Sequence, residues 1–215
     1  AMLAATPWLG APHPQLLLMF ATVILLAWNL LRPGELVDAS RRAAWMVLAV
    51  AYVGGLCSAL VAIAVQPSPQ PLVLAAFPFG PSAVLTLLMI VFFGDTGAYF
   101  AGKTLGKHKL YALISPKKTV EGTIGGLLAS VVGGALGHWL LVPQLSLIEC
   151  MLLGGLCGAV AQVGDLAESL FKRATQTKDS GNLLPGHGGM LDRIDGVLFG
   201  APVFFGWLHL AHHLG

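Results

Sequence analysis

Residues 147–173, LIECMLLGGLCGAVAQVGDLAESLFKR, join a long apolar run to a polar end. Residues 147–170 are long enough to cross the hydrocarbon core of a bilayer, which takes about 20 residues in a helix. The polar end carries Asp165, Glu168, Ser169 and Lys172 at spacings of i, i+3, i+4 and i+7, so these side chains share one helical face. The stretch therefore predicts a membrane-spanning helix that ends in a polar face.

The rest of the chain has the same apolar character. Of its 215 residues 56% are hydrophobic and 10% are charged, and the mean hydropathy is +0.78, whereas soluble domains carry about 25% charged residues. This composition predicts an all-α integral membrane protein, a polytopic bundle of about six transmembrane helices. The predicted spans are 15–31, 43–65, 81–100, 119–142, 147–170 and 191–212. A seventh span stays open if the proline-rich segment between the second and third spans inserts.

All twelve Lys and Arg residues fall on one side of a six-span topology. They lie in three segments, 32–42, 103–118 and 172–193. Basic residues near span ends stay in the cytoplasm, so we expect these segments to be cytoplasmic and both termini to lie on the opposite side. The formal net charge of +2 is too small to indicate nucleic-acid binding. The expected location is the cell inner membrane, with the polar ends of the spans facing the cytoplasm.

Acidic residues cluster at the same ends of the predicted spans. Ionisable groups at membrane depth are costly and are functional candidates by default. These six residues outline a polar cavity open to the cytoplasm: Asp95, Glu121, Asp165, Glu168, Asp192 and Asp195. Carboxylates without a matching cation favour a hard metal such as Mg²⁺. The alternative is that Asp192 and Asp195 stabilise a helix N-terminus and that Asp165 pairs with Lys172 or Arg173.

Two segments have the composition of phosphate sites. GKTLGKHKLYALISPKKTVEG, 102–122, contains five lysines in a predicted loop, and Ser115, Lys117, Lys118 and Thr119 precede a predicted helix N-terminus that could bind phosphate. Alternatively, these lysines only keep the segment on the cytoplasmic side and attract anionic lipid head groups. PGHGG, 185–189, predicts a tight turn in which His187 and Gly188 contact phosphate, unless His187 only bonds within its own loop.

Carboxylates, lysines and glycine-rich turns at one membrane surface together predict phosphoryl or nucleotidyl transfer to a lipid. A cation transporter is the alternative from another class, and it would place its charges near the bilayer midplane on broken helices. A lipid-binding scaffold without activity is a third hypothesis. It has no use for so many carboxylates close to a glycine-rich turn.

Three motifs resemble one enzyme family. SLFKRATQTKDSGNLLPGHGGMLDRID, 169–195, is similar to the signature of phosphatidate cytidylyltransferases, or CDP-diacylglycerol synthases, and GDTGAYFAGKTLGKH, 94–108, and ISPKKTVEGTIGG, 114–126, look like the upstream motifs. The resemblance implies that CTP and phosphatidic acid give CDP-diacylglycerol and pyrophosphate at a bilayer. It also implies Mg²⁺ dependence, a monovalent cation such as K⁺ at the metal site, and a homodimer.

The resemblance assigns roles to residues of the three motifs and of QVGDLAESLFKR, 162–173, which looks like the lead-in to the signature. The metal-binding carboxylates would be Asp165 and Asp192, supported by Asp95 and Asp195. The residues assigned to catalysis are Asp165, Asp192, Lys172 and Asp195. The residues assigned to nucleotide and phosphate binding are Ser169, Lys172, Arg173, Lys178, Asp179, Lys117, Lys118 and Arg193, beside Ser115, Thr119, His187 and Gly188 above.

The resemblance covers about half of the chain. We therefore expect N-terminal spans in 1–80, shortened relative to the family, and a catalytic transmembrane domain in 81–215. A related membrane enzyme that uses CTP on another lipid phosphate or on a polyprenol would carry similar motifs, so it remains an alternative.

Overall fold

The computed structural model describes residues 14–32, 35–67, 78–177, 189 and 191–214. The described residues divide into two compact units, with the boundary between Ala62 and Ile63. Four candidate site residues, Lys178, Asp179, His187 and Gly188, lie outside the described residues, as does most of the proline-rich segment, 68–77. The predicted division into 1–80 and 81–215 stays a prediction.

The first unit contains a helical hairpin. Helix α1 spans Pro14–Leu30 and α2 spans Leu36–Ala49; a π-helical turn, Val50–Gly55, then leads into α3, Leu56–Ala64. Buried Asn29 closes the hairpin, because its Nδ2 donates to the Ala39 carbonyl at 2.8 Å and its Oδ1 accepts from Arg42 Nε at 3.2 Å. Helix α2 begins at Leu36, before the start predicted at residue 43, because its first turns are polar and lower the local hydropathy.

Among its described residues, the second unit contains four long helices and one β-hairpin. These are α4 (Phe79–Leu105), β1 (Lys109–Tyr111), β2 (Ser115–Thr119), α5 (Val120–Leu140), α6 (Leu147–Ala174) and α7 (Leu191–Leu214). Helix α4 packs on α5, α5 on α6 and α6 on α7, so neighbours in sequence are neighbours in space. The site residues carried by these helices are brought together by this packing.

Four described helices are long and apolar enough to cross a membrane: α4, α5, α6 and the continuous helix Leu36–Ala64, which α2, the π-helical turn and α3 form together. A shorter apolar helix covers Leu17–Leu30. The all-α, multi-pass membrane fold is thereby confirmed, whereas the count of six spans stays a prediction. Helix α4 has 27 residues and is therefore about 40 Å long at 1.5 Å per residue. It exceeds a hydrocarbon core of about 30 Å, so its ends reach the head-group level.

Local signals fix where α6 begins and how closely it packs. Ser146 and Glu149 form a capping box, in which the Ser146 side chain accepts from Glu149 N at 3.2 Å and Glu149 accepts from Ser146 N at 2.8 Å. Further along, a Cβ on Gly154 would lie 2.6 Å from the Ser130 carbonyl oxygen of α5. The glycine-rich run of α6 is therefore a packing surface at its crossing with α5.

The basic segment after α4 differs from the predicted loop. It forms the antiparallel β1–β2 hairpin, and the first residue of α5, Val120, donates its N–H to the His108 carbonyl at 2.9 Å. The Glu121 carboxylate accepts from the N–H groups of Lys107 and His108 at 3.1 and 3.2 Å and contacts His108 Nδ1 at 2.7 Å. The segment forms a hairpin rather than a loop because of a tertiary contact, in which Glu121 of α5 binds the backbone at the base of the hairpin.

Candidate active site

A cavity of about 410 Å³ lies between α4, the β1–β2 hairpin, α5 and α6. It brings together parts of the two upstream motifs, 94–108 and 114–126, with Gln162 and Asp165 of α6, which precede the third motif. Its lining residues are Asp95, Ala98, Tyr99, Gly102, Lys103, Leu110, Lys117, Lys118, Thr119, Gly122, Thr123, Gln162 and Asp165. The lining is therefore mixed, with carboxylates and lysines set among small and apolar groups.

The hairpin places a lysine directly on an acidic residue of α6. Lys118 Nζ lies 2.5 Å from Asp165 Oδ2, and both side chains are only partly exposed. The predicted alternative paired Asp165 with Lys172 or Arg173, whereas the structure pairs it with Lys118. Because this lysine comes from β2, the hairpin carries positive charge into the cavity beside the carboxylate.

The predicted phosphate site at the start of α5 takes a different form. Ser115, Lys117 and Lys118 lie on β2 rather than on a helix N-terminus, and only Thr119 is at the N-cap of α5. Its side-chain oxygen accepts from Gly122 N at 3.1 Å, so it satisfies the helix itself. Lys117, Lys118 and Thr119 line the cavity, and Ser115 is not among the lining residues.

Three carboxylates converge where α6 meets the start of α7. One oxygen from each of Asp165, Glu168 and Asp195 lies within 4.8 Å of the others. Glu168 is 3% exposed, and its Oε1 has no hydrogen-bond partner among the described residues. Its close neighbours are the carboxylates of Asp192 and Asp195, which accept rather than donate when ionised. A buried oxygen in such surroundings fits a bound cation.

Asp192 lies beside this cluster with a different partner. Lys172 Nζ contacts Asp192 Oδ1 at 2.7 Å and Glu168 Oε2 at 3.1 Å, and it therefore links α6 to the first turn of α7. The other Asp192 oxygen accepts from the Gly189 N–H at 2.9 Å. Asp192 is thus held by a lysine and a backbone donor, while Asp165, Glu168 and Asp195 leave carboxylate charge in excess.

The donor set of this cluster fits a hard divalent cation. Carboxylate oxygens are the ligands that Mg²⁺ prefers, whereas zinc favours Cys and His. Two lysines, Lys118 and Lys172, face four carboxylates in this region, which leaves net negative charge. Asp95 adds a further carboxylate from α4 on the cavity wall. These residues could hold a metal ion between the cavity and α7.

Three further candidates lie on α6 and α7. Ser169 lies half-buried on α6 between Glu168 and Lys172. Arg173 Nε donates to the Ile114 carbonyl at 3.5 Å, which ties the end of α6 to the tip of the hairpin. Arg193 is exposed in the first turn of α7.

Four residues at the site were not among the assigned metal, catalytic or binding residues, and three of them had a detectable signal. Glu168 lies three positions after Asp165, and Gln162 lies three positions before it on the same helix. Gln162 Nε2 donates to the Thr123 carbonyl at 3.1 Å, which joins two lining residues across α5 and α6. Tyr99 follows Asp95 by four positions on α4. Helical spacing from the assigned residues would have found all but Thr123.

The fold and this site define a class: a multi-pass α-helical membrane protein with a cavity lined by lysine and carboxylate side chains. The profile of the cytidylyltransferase family matches residues 1–211, and the chain belongs to that family. This membership agrees with the resemblance that the three motifs indicate.

Curated relatives carry one name. The chain is 46% identical over 129 residues to the phosphatidate cytidylyltransferase of Synechocystis sp., covering 60% of this chain and 44% of the relative. It is 43% identical over 129 residues to that of Bacillus subtilis, covering 59% and 47%, and 45% identical over 136 residues to that of Brucella suis, covering 60% and 47%. The chain therefore aligns with about half the length of the curated relatives it matches.

Proposed function

We propose that the chain transfers the cytidylyl group of CTP to phosphatidic acid, giving CDP-diacylglycerol and pyrophosphate. The observation that carries this proposal is the position of the Lys118–Asp165 pair. It lies in a cavity that adjoins three converging carboxylates and is formed by helices long enough to span a membrane. Family membership and the names of the relatives support the same reaction.

The lysines of the cavity would bind the phosphates of the substrates. Lys117 and Lys118 reach it from β2, and Lys103 reaches it from α4. Lysine is a point charge suited to phosphate oxygens, and a cavity partly shielded from water strengthens each such contact. The triphosphate of CTP would lie against the hairpin, where Lys118 can exchange its contact with Asp165 for one with a phosphate.

Asp165, Glu168 and Asp195 would hold Mg²⁺, with Asp95 nearby and with Asp192 orienting Lys172. When bound, the ion would neutralise charge on the triphosphate and favour departure of pyrophosphate. The same carboxylate cluster would also bind a monovalent cation such as K⁺, as the family resemblance implies.

The proposed reaction needs little proton chemistry from the protein. A phosphate oxygen of phosphatidic acid forms a bond to the α-phosphorus of CTP, and the bond from that phosphorus to the pyrophosphate oxygen breaks. The attacking oxygen is already anionic, so no protein base is required. The chain would act by holding the two phosphates in line and by balancing their charge with lysines.

The same proposal covers location and assembly. The cavity would lie at the cytoplasmic face of the inner membrane, which the basic segments on one side of the predicted topology support. There CTP would arrive from the cytosol and phosphatidic acid from the leaflet. Glycine-rich helices are compatible with a homodimer, which the family resemblance implies. The catalytic part of the chain would be 81–215, with additional spans in 1–80.

Transfer of radiolabel from CTP into extracted lipid tests the proposal, with purified protein, Mg²⁺ and phosphatidic acid. Asp165→Asn should lower turnover by about 100-fold or more, because it removes a charge at the reacting centre. Asp38→Asn is the matched control. Asp38 is an exposed α2 residue paired with Arg41, and such surface pairs contribute only about 0–1 kcal/mol. Absence of lipid labelling by the parent protein, or normal turnover by Asp165→Asn, would contradict the proposal.

A further inference from the structure

Helix α4 has an exposed face that ends at the cavity. Leu85, Phe92, Thr96, Tyr99 and Lys103 recur at spacings of seven, four, three and four, so they lie along one side of the helix. All five are exposed, and Phe92 and Tyr99 are 51% and 60% exposed. The opposite side, with Leu87, Ile90 and Gly94, is buried. On a helix that spans a membrane, a side left uncovered by the rest of the described chain is available to lipid.

Tyr99 and Lys103 belong to this exposed side and also to the cavity lining. Lys103 Nζ lies 5.5 Å from the centre of the Tyr99 ring and 3.4 Å from its hydroxyl oxygen. The pair therefore marks the place where the side of α4 that meets acyl chains passes into the polar cavity. Aromatic residues and lysines of this kind occur at the level of lipid head groups.

Lys103 is also available for an anionic ligand. Lys118 and Lys172 are paired with carboxylates, whereas Lys103 has no carboxylate partner within the part of the chain that the structure describes. Its position in the last turn of a helix of about 40 Å places it beyond a hydrocarbon core of about 30 Å. A phosphate at head-group depth would be within its reach.

We propose that Lys103 and Tyr99 form the subsite for the phosphate of the lipid substrate, which enters the cavity along the exposed side of α4. The acyl chains would lie against Phe92 and Leu85, and the head group would meet Lys103 at the rim. Lys117 and Lys118 on the hairpin would then bind the triphosphate of CTP. This assignment rests on the proposed function, because it divides the cavity lysines between its two substrates.

The kinetic constants for the two substrates separate this subsite from the nucleotide site. Lys103→Gln should raise the KM for phosphatidic acid in mixed micelles by about tenfold, the factor expected of one charge-assisted hydrogen bond. The KM for CTP should stay unchanged, and Lys103→Arg should restore most of the lipid affinity. Lys109→Gln is the matched control, because Lys109 lies on β1 and is not among the lining residues.

Each other outcome overturns the assignment. An unchanged KM for phosphatidic acid in an active Lys103→Gln variant would remove Lys103 from the lipid subsite, and a raised KM for CTP alone would place it at the nucleotide. An unchanged lipid KM with an altered oligomeric state would assign this side of α4 to a second copy of the chain. Absence of any lipid product from the parent protein would instead overturn the proposed function, so the two failures are distinguishable.

Discussion

The carboxylate of Glu168 is the residue-scale feature that best defines the proposed metal site. One of its oxygens accepts from Lys172 and the other is buried without a hydrogen-bond partner among the described residues. The sequence places Glu168 on the face of Asp165 but favours Asp192 as the ligand. In the structure Lys172 contacts both Glu168 and Asp192, a link that depends on the tertiary packing of α6 on α7, and the assignment of Asp192 to the metal stays a prediction.

Glu168→Gln should therefore weaken metal binding. The substitution keeps the shape of the side chain and an oxygen for Lys172, but it removes one charge from the cluster. We expect the Mg²⁺ concentration for half-maximal activity to rise by about 10–100-fold. The stabilisation of the purified protein by Mg²⁺ in thermal unfolding should fall accordingly.

Glu35→Gln controls for the loss of a carboxylate, because Glu35 is exposed before α2 and makes no side-chain capping bond. Parental Mg²⁺ dependence in Glu168→Gln, by both measurements, would remove Glu168 from the metal site.

At the scale of the elements, the apolar runs predict the helices well, whereas the β1–β2 hairpin is missed. Its strands have few β-forming residues, and polar residues such as Lys117 and Lys118 are also typical of loops. What stabilises the hairpin is Glu121, which binds the backbone of Lys107 and His108 from the next helix. A contact of this kind cannot be predicted from local propensity, because it depends on how the chain folds back.

The α5–α6 crossing provides a direct test of helix packing. A Cβ on Gly154 would lie 2.6 Å from the Ser130 carbonyl oxygen and 2.9 Å from Val131 Cα, so backbone atoms would have to shift. Gly154→Ala should lower the free energy of unfolding by about 1–3 kcal/mol. Thermal or denaturant unfolding in detergent measures the change.

The adjacent residue supplies the control for this test. A Cβ on Gly155 would meet only Val131 Cγ2 at 3.6 Å, an ordinary contact. Gly155→Ala should be neutral or stabilise the helix by up to about 1 kcal/mol, because alanine favours helix more than glycine does. Equal effects of the two substitutions would contradict the close α5–α6 packing.

At the scale of the whole molecule, composition alone predicts an all-α membrane fold, and the distribution of basic residues predicts its orientation. Lys109→Cys and Gln144→Cys test that orientation, because Lys109 lies in the hairpin and Gln144 lies in the connection between α5 and α6. An impermeant maleimide should label the first from the cytoplasmic side and the second from the opposite side.

The parent chain is the control in this experiment, since its three cysteines lie within α3 and α6. Labelling of both positions from the same side would contradict the predicted topology.

The central claim is that this cavity joins the α-phosphate of CTP to a lipid phosphate. The most direct test supplies the purified protein with Mg²⁺, phosphatidic acid, and CTP radiolabelled at either the α- or the γ-phosphorus. The account predicts that the α-label enters the lipid product and that the γ-label leaves as pyrophosphate. Transfer of the γ-label to lipid, or transfer of neither label, would contradict it.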